Sequence, residues 1–312
     1  MALALVFPGQ GSQSVGMLGD LAKAFPATVT RTFSEASAVL GYDLWQLVSA
    51  GPAEQLNATE RTQPAMLAAG VATWRCWLEQ GGARPELVSG HSLGEFSALV
   101  CAGAMDYAAA IDLVRFRGQA MQQAVPAGTG AMAAVLGLDD ADAEAACAEA
   151  AQGEVVEAVN YNSPGQIVIA GHASAVERAI AAAKARGAKR AVTLPVSVPS
   201  HSSLMRGAAD RLRERLKAMT VRRPELRYVS AVDAAEHADP ADIVDILVRQ
   251  LASPVRWSAT VAALTARGAT RLIECGPGKV LTALNLRIDR RPQIQCLALE
   301  DAAAEAAAVK EK

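Results

Sequence analysis

Short apolar runs alternate with longer amphipathic segments along most of this chain. The runs at residues 3–7, 86–89, 228–231 and 271–274 have the length of buried strands. Between them, apolar residues recur with a helical period. Because strands that alternate with helices usually form a parallel sheet, the pattern predicts an α/β fold with a mostly parallel sheet. Helices are predicted over residues 18–40, 63–80, 95–100, 106–125, 203–219, 240–251 and 257–267.

The alternation changes in one central region, where the predicted order is β-α-β-β-α-β. Strands are predicted at 132–136, 155–159, 166–170 and 191–194, and helices at 139–151 and 173–186. This order is typical of a ferredoxin-like arrangement. We therefore expect a large α/β domain, residues 1–127 and 197–312, with an inserted ferredoxin-like subdomain, residues 128–196. The cleft between two such domains is a usual place for a substrate.

Composition narrows the possible functions. The 312 residues are 51% hydrophobic and 20% charged, which is enough for one large core with a smaller companion. Thirty basic against thirty-two acidic residues give a net charge of −2, so a nucleic-acid partner is not expected. No apolar stretch is long enough to span a bilayer, and residues 1–8 are typical of a first buried strand and not of an export leader. We expect a cytoplasmic protein.

The cysteines are odd in number and far apart in the sequence. Each lies in an apolar or helical neighbourhood, which predicts buried thiols in a reducing compartment and neither disulfides nor a metal site. The five are Cys76, Cys101, Cys147, Cys275 and Cys296.

The pattern G-x-S-x-G at residues 90–94 lies between a predicted strand and a predicted helix. Small residues on both sides of Ser92 would allow a tight turn that lifts its hydroxyl clear of the sheet. The N–H groups of the new helix could then hold an oxyanion. An ordinary glycine-rich turn is the alternative. The nucleophile interpretation makes the large domain α/β-hydrolase-like and Ser92 the candidate nucleophile.

A serine nucleophile needs a base, and the chain offers four histidines. His201 lies where the chain returns from the insert to the large domain, which places it at the expected cleft. His91 adjoins Ser92, so its side chain should diverge and support the turn. His172 starts a predicted helix, and His237 lies in a polar loop where a solvated side chain is expected. His201 is therefore the candidate base.

Two further segments have alternative interpretations. Residues 7–13 follow the first strand and either present backbone N–H groups at the same sheet edge or form a plain turn. Arg115 and Arg117 flank the apolar face of helix 106–125 on opposite sides. Periodicity leaves open which of them reaches the cleft. The glycine-rich segments at 9–14 and 273–280 each lack residues that a nucleotide-binding loop requires.

Taken together, the motifs resemble the bacterial malonyl-CoA:acyl carrier protein transacylases of fatty acid synthesis. The match runs nearly from end to end, with the motifs in order. They are Phe7-Pro8-Gly9-Gln10-Gly11-Ser12-Gln13, Gly90-His91-Ser92-Leu93-Gly94-Glu95, Arg117-Gly118, Asn160-Tyr161-Asn162-Ser163-Pro164, Pro199-Ser200-His201-Ser202, Gln250 and Cys275-Gly276-Pro277-Gly278.

The resemblance implies a set of catalytic roles. Ser92 would be the acylated nucleophile and His201 its base. The main-chain carbonyl around Gln250 would orient the histidine, as an aspartate does in most triads. Gln10 and Leu93 would donate backbone N–H groups to the oxyanion.

The resemblance also assigns substrate contacts. Arg117 would bind the free carboxylate of the malonyl group, and Asn160 and Asn162 would lie near the pantetheine arm. Phe96 stands where the family often has tyrosine. The segment Pro199-Ser200-His201 is similar to the form that handles malonyl rather than branched acyl groups.

The function implied is transfer of a malonyl group from malonyl-CoA to the phosphopantetheine thiol of acyl carrier protein, through a malonyl-serine. No metal or redox cofactor is expected, and the protein would act as a monomer. A thioesterase or carboxylesterase with the same nucleophile is one alternative. A transacylase of a polyketide or malonate-decarboxylation pathway is another, and a non-enzymatic scaffold is the third.

Overall fold

The computed structural model describes residues 2–196 and 198–310. Ser197, which the sequence analysis places at the domain boundary, and the last two residues lie outside the described part. The described part contains ten strands: β1 (Ala2–Phe7), β2 (Leu87–Gly90), β3 (Gly130–Leu136), β4 (Val156–Ser163), β5 (Gln166–His172), β6 (Arg190–Thr193), β7 (Arg227–Val229), β8 (Glu236–His237), β9 (Ala269–Glu274) and β10 (Gln295–Ala298).

Fourteen α-helices and one 3-10 turn, Ser203–Met205, connect the strands within the described residues. The helices are α1 (Gly19–Ala24), α2 (Pro26–Leu40), α3 (Leu44–Ala50), α4 (Ala53–Asn57), α5 (Thr59–Glu79), α6 (Gly94–Cys101), α7 (Tyr107–Gln122), α8 (Asp140–Ala151), α9 (Ala173–Ala185), α10 (Arg206–Lys217), α11 (Pro240–Gln250), α12 (Trp257–Ala266), α13 (Val280–Ile288) and α14 (Ala302–Lys310).

The larger sheet has six strands in the order β10-β9-β1-β2-β7-β8. Every neighbouring pair is parallel except the β7–β8 pair at one edge. Phe7 pairs with Gly90, and Val6 pairs with Glu274. The carboxyl ends of β9, β1 and β2 therefore meet at one edge, which brings the loops that follow these three strands together. The prediction of an α/β fold with a mostly parallel sheet is confirmed.

The smaller sheet is antiparallel, with the order β4-β5-β3-β6. It has the predicted β-α-β-β-α-β sequence of elements. Side chains alternate along β3, so Ala133 and Val135 join the core under α8 and α9 while Met132 and Ala134 face the other way. The smaller sheet thus has a core of its own and a second face toward the larger sheet. The bounds at 127/128 and 196/197 remain a prediction.

Several elements were not predicted. Helices α3 and α4 and strands β8 and β10 are too short to give a clear apolar period. The segment predicted as a helix over 203–219 begins with the 3-10 turn. The C-terminal segment forms a packed helix, α14. Its Glu305 is fully buried and accepts a hydrogen bond of 2.6 Å from Gln80.

The expectation for the cysteines needs one correction. Cys76, Cys147 and Cys275 are buried, but Cys101 and Cys296 are only half-buried, and all five are free thiols. Within residues 2–196 and 198–310, no cluster of three or more His, Cys, Asp or Glu side chains is placed to hold a metal ion. In the same ranges, no helix combines the length and the apolar character that a membrane crossing requires.

Candidate active site

The turn around Ser92 is enforced by close backbone packing. A Cβ atom on Gly90 would lie 1.9 Å from the carbonyl carbon of Gly94, and one on Gly94 would lie 2.0 Å from the Phe7 carbonyl oxygen. Both glycines are therefore required by space. Ser92 itself has a φ of 54°, a left-handed conformation that costs energy in a non-glycine residue. The strained turn predicted from the sequence is present, and it lies between β2 and α6.

His201 joins Ser92 to the end of α11. Its Nε2 lies 2.8 Å from Ser92 Oγ, and its Nδ1 lies 2.8 Å from the main-chain oxygen of Gln250. Because a carbonyl oxygen can only accept, Nδ1 carries the proton and Nε2 is left to accept from the serine hydroxyl. The three residues therefore have the hydrogen-bond order of a serine triad, with a carbonyl in place of the acid.

The environment of His201 keeps its imidazole neutral. The side chain is buried, with 4% of its surface exposed. Burial and, as a smaller cause, the nearby charge of Arg117 together lower the pKa of His201 from its usual 6.5 to about 3. The Gln250 carbonyl opposes this shift but does not overcome it. A neutral imidazole is the form that can accept a proton.

Arg117 is a buried cation with neutral partners. Its Nη1 donates to Gln63 Oε1 at 2.9 Å, and its Nη2 donates to Gln250 Oε1 at 2.9 Å and to Ser92 Oγ at 3.3 Å. Burial lowers its pKa to about 10, against the opposing effect of the Glu95 charge, so it stays charged at neutral pH. Among the described residues it has no carboxylate ion-pair partner, and its Nε has no hydrogen-bond acceptor.

Arg115, the alternative cation, lies away from this site. It pairs with Asp112 on its own helix, and a third of its side chain is exposed. Arg117, by contrast, is 1% exposed and contacts the serine hydroxyl. The structure thus settles which flank of α7 faces the cleft, a choice that periodicity left open.

Two backbone N–H groups belong to residues that line the same cleft as Ser92. Leu93 follows the serine at the start of α6, and Gln10 lies in the loop after β1 at the same sheet edge. Within residues 2–196 and 198–310, neither N–H has a hydrogen-bond acceptor. Such unpaired N–H groups beside a nucleophile suit a developing oxyanion.

The site opens into a cleft of about 600 Å³ between the two sheets. Met132 and Val168 of the smaller sheet line one wall, and α13 lines another. Asn160 and Asn162 of β4 also face this cleft. His91, expected to support the turn, is half-buried, and its Nε2 is hydrogen-bonded to Asn162 Oδ1 at 2.9 Å. The predicted site residues other than Gln250 therefore line one cavity, and the buried Gln250 contacts two of them, Arg117 and His201.

The other two histidines lie outside the site. His172 precedes α9, and its Nδ1 accepts a hydrogen bond of 2.9 Å from the Val155 N–H. His237, expected to be solvated in a loop, is instead half-buried in β8, next to Asp233 and the Tyr228 ring. The correction follows from β8, whose two residues are too few to predict from the sequence.

Sequence reasoning missed two polar residues of the site. Gln63 is a buried polar residue on an otherwise apolar face of α5, which is the signal that could have found it. Glu95, three residues after the serine, is also buried. It accepts hydrogen bonds from Tyr228, from Ser230 Oγ (3.0 Å) and from the Ala231 N–H (3.1 Å). Burial raises the pKa of Glu95 from its usual value.

Comparison with known proteins places this fold and site in one class. The acyl transferase domain family matches residues 4–290, so the chain belongs to that family. Two relatives, the malonyl CoA-acyl carrier protein transacylases of Escherichia coli and Salmonella typhimurium, are each 59% identical over 285 residues. The alignment covers 91% of this chain and 92% of each relative. Within the acyl transferases, the chain groups with the malonyl CoA-acyl carrier protein transacylases.

Solved structures agree with this grouping. An acyl carrier protein S-malonyltransferase from Vibrio cholerae has a TM-score of 0.95 at 56% identity, and the match covers 98% of this chain and 99% of that one. A malonyl-transacylase in complex with its type II PKS acyl-carrier protein has a TM-score of 0.98 at 54% identity, with all of both chains covered. The α/β fold with its separate antiparallel sheet is shared with these structures.

Proposed function

We propose that this protein transfers a malonyl group from malonyl-CoA to the phosphopantetheine thiol of an acyl carrier protein, as a monomer in the cytoplasm, to supply fatty acid synthesis. One observation carries the proposal. Arg117, a buried cation with no carboxylate within ion-pair distance among the described residues, places its Nη2 3.3 Å from Oγ of the candidate nucleophile Ser92. An acyl group that ends in a free carboxylate would supply the missing charge.

In the first half-reaction, His201 Nε2 takes the proton of Ser92 as Oγ attacks the thioester carbonyl. The Gln250 carbonyl holds Nδ1–H and so stabilises the imidazolium that forms. The Gln10 and Leu93 N–H groups stabilise the oxyanion. When the intermediate collapses, the carbon–sulfur bond breaks, and His201 returns the proton to coenzyme A, which leaves as the thiol.

The second half-reaction runs the same steps in reverse with a new thiol. The carrier protein's phosphopantetheine sulfur attacks the malonyl-serine carbonyl, and His201 first accepts the thiol proton and then returns it to Ser92 Oγ. Asn160 and Asn162 would hold the pantetheine arm in the cleft. Every step is supplied by groups of this chain and the two substrates, so we propose that no metal or redox cofactor takes part.

The experiment is to mix the protein with malonyl-CoA alone and to determine its intact mass. We expect a single malonyl adduct that maps to the peptide containing Ser92, and no adduct in Ser92→Ala. A cysteine adduct would overturn the proposal. Rapid loss of the adduct to water without a carrier would favour a thioesterase instead.

His201→Ala tests the base in the same assay. General acid–base catalysis contributes about 10²- to 10⁴-fold, so acylation should slow by that factor. His172→Ala and His237→Ala should acylate at the wild-type rate, because both side chains lie outside the cleft. The acylated enzyme would then be mixed with a carrier protein of fatty acid synthesis or with one of type II polyketide synthesis. The carrier protein that accepts the malonyl group would distinguish the two pathways.

A further inference from the structure

The segment that carries Gln10 is held by backbone contacts on two sides. The His91 N–H donates to the Phe7 carbonyl at 2.9 Å, and the Cys275 N–H donates to the Val6 carbonyl at 2.8 Å. On the first side there is no room for further atoms, because a Cβ on Gly9 would lie 2.4 Å from the His91 oxygen. The start of the loop after β1 is thus fixed against the nucleophile turn by main-chain contacts.

On the second side, the loop meets the turn at residues 275–278, which follows β9. Gly276 has a φ of 147°, and a Cβ there would lie 2.9 Å from Pro8 Cγ and 3.0 Å from Pro8 Cδ. A glycine is needed on both counts, conformation and space. Pro8 is two residues before Gln10, so any push on its ring is passed along a short, rigid stretch of chain.

The turn itself is anchored at its far end. Glu274 is fully buried at the end of β9, and its carboxylate accepts hydrogen bonds from the Leu281 N–H (3.1 Å) and the Thr282 N–H (2.7 Å). These contacts tie the first turn of α13 to the sheet. Because the turn is held at both ends, it cannot easily move away when an atom is added at Gly276.

We propose that Gly276 is a positioning residue of the oxyanion site, whose contact with Pro8 sets the distance between the Gln10 N–H and Ser92. The inference rests on the proposed function, in which that N–H stabilises the oxyanion. A displaced donor stabilises the transition state less and leaves substrate binding unchanged. The effect is therefore on the rate constant of acylation.

Gly268→Ala is the matched control for Gly276→Ala. Gly268 also has a positive φ, 97°, but a Cβ there would have no atom within 4 Å. Both variants carry the backbone strain, and only Gly276→Ala adds the contact with Pro8. Pro8→Ala removes Cγ and Cδ, the two atoms that the new Cβ would meet. The double variant Pro8→Ala/Gly276→Ala should therefore relieve the clash.

The measurement is the rate constant for acylation of each variant by saturating malonyl-CoA, by rapid quench and intact mass. Since loss of an oxyanion donor costs about 10²- to 10³-fold and a misplaced group about 10²-fold, we expect Gly276→Ala to be about 10- to 100-fold slower than Gly268→Ala. The malonyl-CoA concentration at half-maximal rate should be unchanged. The double variant should be faster than Gly276→Ala alone.

Equal rates in Gly276→Ala and Gly268→Ala would overturn the inference, as would a double variant no faster than Gly276→Ala. If Gly276→Ala does not fold, recovery of both folding and acylation in the double variant supports the inference. A double variant that does not fold or acylate while Pro8→Ala does would overturn it. These outcomes are distinct from failure of the proposed function, which would show as a wild-type protein without a Ser92 adduct.

Discussion

The side-chain oxygen of Gln250 accepts a hydrogen bond of 2.9 Å from Arg117 Nη2, and both side chains are buried. The main-chain oxygen of the same residue accepts from His201, and its Nε2 donates to the Ser92 carbonyl at 3.0 Å. One glutamine therefore contacts the proposed base, nucleophile and cation. Because an amide is neutral, it positions the guanidinium without cancelling its charge.

Arg117→Ala should reduce malonyl transfer far more than acetyl transfer, because only malonyl has a free carboxylate. Removal of one partner of a buried charge pair costs roughly 2 to 5 kcal/mol, and each 1.4 kcal/mol is about tenfold. The malonyl-to-acetyl preference, measured as the ratio of kcat/KM values, should fall by more than about tenfold. Equal losses for both substrates would assign the arginine a structural role.

Arg115→Ala is the control for this prediction. Arg115 has the same side chain, lies on the same helix and pairs with Asp112 at the protein surface. Its replacement should leave the malonyl-to-acetyl preference unchanged. A selective loss of malonyl transfer in Arg115→Ala would contradict the assignment of the cation.

Gln63→Glu should also lower the preference for malonyl over acetyl, in this case by adding a negative charge next to Arg117. Gln63 Oε1 accepts from Arg117 Nη1 at 2.9 Å, so a nearly isosteric glutamate would place a carboxylate on the guanidinium. The internal charge would compete with the malonyl carboxylate, and KM for malonyl-CoA should rise. Acetyl-CoA kinetics provide the comparison. An unchanged KM for malonyl-CoA would show that the charge of Arg117 is not used in binding.

The pH dependence of acylation should reflect the low pKa of His201. The imidazole acts as a base only when neutral, and it is neutral above its pKa of about 3. The kcat/KM for acylation reports the free enzyme, so it should show no fall as the pH decreases through 6.5, the usual histidine pKa. A titration near that usual value in the wild-type protein would refute this expectation.

Arg117→Ala should move the loss of acylation rate at low pH to a higher pH. The positive charge of Arg117 is the second cause of the low pKa of His201, after burial. Its removal should raise the pKa, so the loss of acylation rate should occur at higher pH than in the wild-type protein. The acetyl-CoA reaction is the one to follow, because the variant should still acylate with acetyl. A shift to lower pH would contradict the sign.

Gly94→Ala should be strongly destabilising, because its Cβ would lie 2.0 Å from the Phe7 oxygen. Overpacking typically costs about 1–3 kcal/mol, and backbone atoms cannot move aside as side chains do. Gly19→Ala is the control, since Gly19 also begins a helix and has no atom within 4 Å of the added Cβ. Its unfolding free energy should change by less than about 0.5 kcal/mol. Equal thermal unfolding of the two variants would refute the packing argument.

The sequence identified the residues whose type is chemically distinctive. Ser92 could be found because its flanking glycines are required by the turn, and His201 because of its place at the return from the insert. Glu95 could not be found, because its role depends on contacts between distant elements. The only signal for Gln63 was its place on an otherwise apolar face of α5, and its contact with Arg117 could not be read from the sequence. Phe96 shows the same limit. From the sequence, Phe96 only lacks the hydroxyl of the tyrosine that the family often has there. In the structure, the Arg117 guanidinium lies 5.5 Å from the centre of the Phe96 ring.

Strand β4 is hydrogen-bonded to residues outside the smaller sheet at three places. The Ser203 N–H donates a hydrogen bond of 2.7 Å to the Glu157 carboxylate of β4. The Val255 N–H donates to the Val159 carbonyl, and the Tyr161 N–H donates to the Val255 carbonyl, both at 2.9 Å. Asn162 is hydrogen-bonded to His91, the residue before the nucleophile. The smaller sheet is therefore not an interchangeable module. A chimera that takes residues 128–196 from a relative with a different acyl preference would inherit that preference only if all three attachments were carried with it.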